Sequence, residues 1–178
     1  NGYLPAGNYQ ICVEAIDEIS GLVVSSPGPN NNCATFEVRS IPPPLIENPA
    51  DNARLVVSDP DDIIVRWSQN FATLPPDISY ELDFRRIPAG SPLLQEMRNA
   101  GSESSLRQDR FNALEEVTTA TVTGAAFIYN TIQDNIEFDE GGVYALRIRA
   151  VSEEIYIQNG GFSNVVLFYY GASADDAC

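Results

Sequence analysis

The sequence contains no histidine and no lysine, and all ten of its basic residues are arginine. Without His there is no Ser–His or Cys–His nucleophile and no His-ligated metal. Without Lys there is no Schiff base, no P-loop and no Lys–Asn cross-link. Carboxylates, Tyr and Arg are what remain for catalysis, and neither an enzyme nor a cofactor is expected. No apolar run approaches the roughly 20 residues needed to span a bilayer, so membrane insertion is not expected either. Positive charge is scarce: 25 acidic residues face 10 basic ones, for a net charge of −15. Such a surface repels phosphate backbones, which argues against nucleic acid as a partner. There is no initiator Met and no leader pattern, so Asn1 reads as the start of a processed or excised chain. Cysteines are few: Cys12, Cys33 and Cys178 allow one pair and leave one over.

What the chain does have is period-two alternation. In Gly141–Ser152, Tyr144, Leu146, Ile148 and Ala150 fall on one face, and Arg147 and Arg149 on the other. This pattern marks a strand with one face in a core and one in water. The same pattern occurs earlier, where Tyr9, Ile11, Val13 and Ala15 match those four apolar positions. The chain therefore reads as one whole β-domain preceded by the tail of another.

Taken in order, the first strand runs over about 8–16 and the second over 33–38, with a Ser-, Pro-, Gly- and Asn-rich loop between. Cys12 and Cys33 both alternate outward, so in an antiparallel pair their sulfurs share the exposed face. A Cys12–Cys33 bridge is expected there, against two free thiols or pairing with another chain. A disulfide implies an oxidising compartment. Ile41–Ile46, with three prolines, suits an edge position at a domain junction near Ser40. Ile63, Val65 and Trp67 share one strand face; Tyr80, Leu82 and Phe84 share another, with Glu81 and Asp83 outward. The lone Trp67 amid aliphatics reads as core. Ser91, Pro92 and Gly101 bracket a short helix. Ser102–Asp109 is polar and expected to be mobile. Two β segments follow, over 117–129 and, less clearly, 131–138. The last strand, 164–170, turns Val166, Phe168 and Tyr170 inward and is the counterpart of 33–38. Arg147 and Val165 then stand where the first copy has Cys12 and Cys33. The tail 172–178 is small and acidic, and is expected to be flexible.

These residues resemble a fibronectin type III-like β-sandwich. The Pro-rich entry, Trp67, Tyr80, the Tyr-x-Leu-x-Ile-x-Ala run at Tyr144–Ala150 and the Gly-x-Ser at Gly161–Ser163 carry the resemblance. More closely, Leu4–Ala15, then Cys33, then Pro42–Pro49 are similar to the TANFOR domain of large Bacteroidetes cell-surface proteins. The resemblance implies an all-β fold: an antiparallel, fibronectin type III-like (Ig-like) sandwich at 40–171 with an inserted helical or loop segment at 89–117. It is preceded at 1–39 by the last two strands of a similar sandwich. The resemblance brings no catalytic residues. It places the third strand beside the penultimate one, so that Glu81 and Asp83 face Arg147 and Arg149 across an open face.

Three clusters are candidate sites. Asp59-Pro-Asp-Asp62 has the carboxylates to hold Ca²⁺, but its spacing matches no calcium loop, and a solvated turn is the plainer reading. Asp134, Glu137, Asp139 and Glu140 offer the paired carboxylates of glycoside hydrolysis, though nothing forces two of them across a cleft. Tyr156, Phe162, Tyr169 and Tyr170 form a possible sugar platform, with core or edge roles the plainer reading for Phe162 and Tyr170. The function expected is a non-enzymatic, extracellular structural or adhesive module of a tandem-repeat surface protein or a head-to-tail filament. Its partners would be copies of itself or adjacent sandwiches. The alternative is a glycan- or protein-binding module that uses the loops at 89–117 and 153–162.

Overall fold

A computed structural model describes residues 4, 6–25, 32–55, 62–69, 77–124, 126–130, 138–153 and 155–171; for Asp62 and residues 126–130 it describes the backbone alone. The chain divides into two compact units, residues 1–40 and 41–178.

The first unit is a β-hairpin. Gly7–Cys12 (β1) pairs antiparallel with Cys33–Val38 (β2), with Tyr9 opposite Phe36 and Cys12 opposite Cys33. The rings of Tyr9 and Phe36 stack 5.6 Å apart. Cys12 and Cys33 form a disulfide between residues 21 apart in sequence. Closing a loop of this length stabilises a fold by about 3 kcal/mol. The strand expected over 8–16 is shorter and ends at Cys12, although the Val13 amide still donates to the Asn32 carbonyl at 2.8 Å. A second, smaller ladder bridges Ile16 to Val23 around a turn in which the Asp17 carboxylate accepts the Ser20 amide at 2.7 Å. That hydrogen bond lowers the Asp17 carboxyl below its ordinary pKa.

The second unit holds two main sheets around one core. Its short strands are Ser40–Ile41 (β3), Leu45–Asn48 (β4) and Ala53–Leu55 (β5). Then come Asp62–Ser68 (β6) and Ser79–Ile87 (β7), the helices Pro92–Ala100 (α1) and Ser105–Phe111 (α2), and Glu115–Val122 (β8). Ala126–Asn130 (β9), Val143–Val151 (β10), Tyr156–Ile157 (β11) and Val166–Tyr170 (β12) complete it. One sheet runs β5-β12-β10-β7-β8 and the other β4-β6-β9, while β3 pairs with β11. The protein is thus mostly β. Ile46, Ile63, Val65 and Trp67 from the smaller sheet share a core with Tyr80, Leu82, Phe84, Leu146, Ile148 and Phe168 from the larger. Tyr144 and Phe168, directly opposed on β10 and β12, stack 5.7 Å apart.

The outer face of the larger sheet is not open at the end where the helices lie. The α1 helix begins as its residues require: the Ser91 hydroxyl accepts the Leu93 amide at 3.2 Å and Pro92 opens the first turn. Ser102–Asp109, expected to be mobile, instead builds most of α2, with Ser104 as its cap. Met97 of α1 and Phe111 of α2 pack on Val143, Ala145, Val165 and Leu167, forming a second core. The alternate residues of β10 are therefore apolar at one end, 143 and 145, and charged at the other.

Arg107 anchors this insert. Its guanidinium is wholly buried. It donates to the Met97 carbonyl, to the Val165 carbonyl at 3.0 Å and to Asp51 Oδ1 at 2.6 Å. The same Asp51 oxygen accepts the Leu167 amide at 3.0 Å. One carboxylate thus ties α2 to the edge of β12.

Candidate functional site: a cleft between the helical insert and the last loop

A cleft of about 610 Å³ opens in the larger unit between three stretches of chain. Pro42, Pro43, Pro44 and Leu45 form one wall. Glu103, Ser105, Gln108 and Asp109, at the start of α2, form the second. Asn159, Phe162, Ser163 and Asn164, in the loop before β12, form the third. This volume lies within the range of small-ligand sites, roughly 300–1,000 Å³.

The third wall depends on backbone that few residues adopt. Asn159, Gly160 and Gly161 all have positive φ, at 55°, 62° and 83°. A Cβ on Gly161 would meet the Ala150 carbonyl oxygen at 2.0 Å, so only glycine lets this loop lie against β10. The turn delivers Phe162 to the cleft and Ser163 to β10, where the Ser163 hydroxyl accepts the Ile148 amide at 2.9 Å.

Arg147 joins the loop to the insert. Its guanidinium lies 4.2 Å from the Phe111 ring centroid and 4.4 Å from that of Phe162. It also donates to Asn112 Oδ1 at 2.9 Å and lies 3.7 Å from Asp83. Burial pushes its pKa below the ordinary arginine value, and Asp83 opposes that shift. The expected facing pairs are present in register, Arg147 with Asp83 and Arg149 with Glu81. Only the second is exposed, at 3.3 Å, and such a pair adds about 0–1 kcal/mol.

Of the other candidate clusters, the two acidic ones lie largely outside the described residues, and the aromatic one is dispersed. Of Asp59-Pro-Asp-Asp62, only the Asp62 backbone is described, as the first residue of β6; Asp134, Glu137 and Cys178 lie outside the described residues. Asp139 pairs with Arg86 at 2.7 Å, and Glu140 is exposed beside it. Among the described residues no His, Cys, Asp or Glu group is arranged to hold a metal ion. The four aromatics point to different places. Tyr170 is in the main core, Tyr169 lies under Arg54 and Arg98, Tyr156 is exposed and Phe162 lines the cleft. Trp67 is buried against Tyr80, with ring centroids 5.1 Å apart. The Pro42–Pro44 stretch stands out in the sequence as an edge at a domain junction and not as a site, because nothing local in the sequence joins residue 42 to Asn164. No family model and no curated protein matches this sequence.

Proposed function

We propose that this chain is a non-enzymatic, extracellular structural or adhesive module. In this reading residues 40–171 form a fibronectin type III-like sandwich, and the β1–β2 hairpin supplies the last two strands of a similar sandwich that precedes it in a tandem array. One observation carries the reading. The hairpin repeats the β10–β12 pair in sequence and in register, down to the stacked ring pair: Tyr9 on Phe36 at 5.6 Å and 21°, Tyr144 on Phe168 at 5.7 Å and 28°.

What differs is the cover. Leu146 and Ile148 are fully buried under the β4-β6-β9 sheet, whereas their equivalents Ile11 and Val13 are 55 % and 68 % exposed. Among the described residues β1 pairs with β2 alone, while β10 is also paired with β7. A two-stranded sheet with an apolar face is marginal by itself. Burying a side chain such as Ile or Val is worth about 1.5–3 kcal/mol, which is the gain a completing set of strands would realise. The strand order of the larger unit, three strands facing five, supports the sandwich assignment. The Cys12–Cys33 disulfide supports an oxidising, extracellular setting. Among the described residues no helix is long and apolar enough to cross a membrane.

Light scattering over a concentration series tests the reading. The uncovered face should bind a hydrophobic dye and drive the mass above 19.4 kDa; Ile11→Asp with Val13→Asp should restore the monomer. A wild-type chain that stays monomeric at every concentration and binds no dye hides that face by itself, against the proposal.

A second reading, a binding module, is favoured by the cleft. It is walled by the two segments, 89–117 and 153–162, that such a module would use, together with the Pro42–Leu45 edge.

A further inference from the structure

The cleft has no cationic side chain, and part of its donor capacity is spent within its own walls. Gln108 Nε2 donates to the Ser163 carbonyl at 2.6 Å, Asn159 Nδ2 to the Phe162 carbonyl at 2.8 Å, and the Ser163 hydroxyl to the Asn164 carbonyl at 2.6 Å. Each of these groups spends one N–H or O–H inside the wall. The proline wall has no backbone N–H to offer. No arginine lines the cleft, and the chain has no lysine or histidine to place there. The donors left to a ligand are all neutral: the Ser105 hydroxyl, the Asn164 amide and the second N–H of Gln108 and of Asn159.

Acceptors are plentiful. Glu103 and Asp109 are exposed, and among the described residues neither carboxylate has an ion pair or a side-chain hydrogen bond. Asn164 Oδ1 is buried and so is not itself presented to a ligand. Beside these acceptors lie the rings of Pro42–Pro44, the half-exposed Leu45 and one side of Phe162.

We infer that the cleft receives an arginine side chain from a basic peptide segment of a partner protein. The inference rests on reading the cleft as a binding site and names its ligand class. A guanidinium carries five donors and no acceptor, so it matches a wall of acceptors without leaving a group of its own unpaired. It is planar and weakly hydrated, which suits the flat proline and phenyl surfaces; an ammonium is compact and strongly hydrated. A sugar fits less well, because its neutral hydroxyls leave the charges of Glu103 and Asp109 uncompensated. The Phe162 ring is also already engaged by Arg147 and Arg149, at 4.4 Å and 5.1 Å, which limits its use as a stacking platform. The net charge of −15 draws a basic segment toward the surface before it docks.

The test uses the full chain and a fluorescent peptide of alternating Gly and Arg, read by anisotropy. Its controls are the Lys and Glu versions of the peptide and a panel of neutral oligosaccharides read by calorimetry. The Arg peptide should bind, the Lys peptide more weakly, and the Glu peptide not at all. Glu103→Gln with Asp109→Asn, both at exposed positions, should weaken the Arg peptide about tenfold, from the loss of two charge-assisted contacts. Glu18→Gln with Glu37→Gln removes the same charge from the smaller unit and should leave affinity within about twofold. Equal weakening by both pairs, or equal binding of the Lys peptide, would mean general charge attraction and would overturn the inference. Binding of an oligosaccharide without the Arg peptide would also overturn it, while keeping the cleft as a site. If nothing binds, the site itself is refuted.

Discussion

Replacing Arg107 by Ala is expected to lower the unfolding free energy of the larger unit by roughly 3–5 kcal/mol, the usual cost of removing one partner from a buried ion pair. The guanidinium has no exposed surface and holds three acceptors: the Met97 carbonyl, the Val165 carbonyl and Asp51. Ala leaves all three short of a donor and opens a void between α1, α2 and β12. Arg107→Lys keeps the charge but not the fork that reaches three directions, so it recovers only part of the loss. Asp51→Asn retains an oxygen for both Arg107 and the Leu167 amide and should cost less. Urea unfolding followed by the buried fluorescence of Trp67 measures all three. A loss under about 1 kcal/mol for Arg107→Ala would mean that the insert is held by its apolar contacts alone.

Gly161→Ala is expected to cost roughly 2–5 kcal/mol, combining left-handed strain of about 1–2 kcal/mol with overpacking of about 1–3 kcal/mol. The new Cβ would sit 2.0 Å from the Ala150 carbonyl oxygen, which belongs to the central strand β10 and cannot give way. Relief must come from the loop, and with it move Phe162 and the cation–π contact to Arg147. Gly90→Ala provides the control, because Gly90 has a similar φ of +68° with nothing within 4 Å of the added atom. It should show the strain alone, about 1–2 kcal/mol. If the two substitutions cost the same in urea, the close approach to Ala150 is unimportant.

The strands were legible because core-facing residues recur at every second position. Tyr80, Leu82 and Phe84, or Val166, Phe168 and Tyr170, announce their inner face in the sequence, and that face is the core. The first helix was legible from Ser91, Pro92 and Gly101. The second was not, since one of the two residues it buries is Arg107, which any hydrophobicity pattern assigns to solvent. The second core did leave a signal. Val143, Ala145, Val165 and Leu167 are apolar at positions that alternation directs outward, which calls for a covering layer. Arg147 and Arg149 were read together as solvent-facing, and only Arg149 is; the aromatic rings that bury Arg147 come from residues 111 and 162. The cleft was half legible: both contributing loops stood out as irregular, but the proline wall joins them only through the tertiary fold.

Amide hydrogen exchange on the intact chain tests most directly whether the hairpin is an uncovered strand pair. Gly7–Cys12 and Cys33–Val38 are to be compared with their repeats at Val143–Val151 and Val166–Tyr170. The account predicts that the first pair exchanges on the order of a thousandfold or more faster, since among the described residues no third strand or facing sheet holds it as they hold the second. Equal protection of the two pairs in a 19.4 kDa monomer would contradict it, because the hairpin would then already be covered.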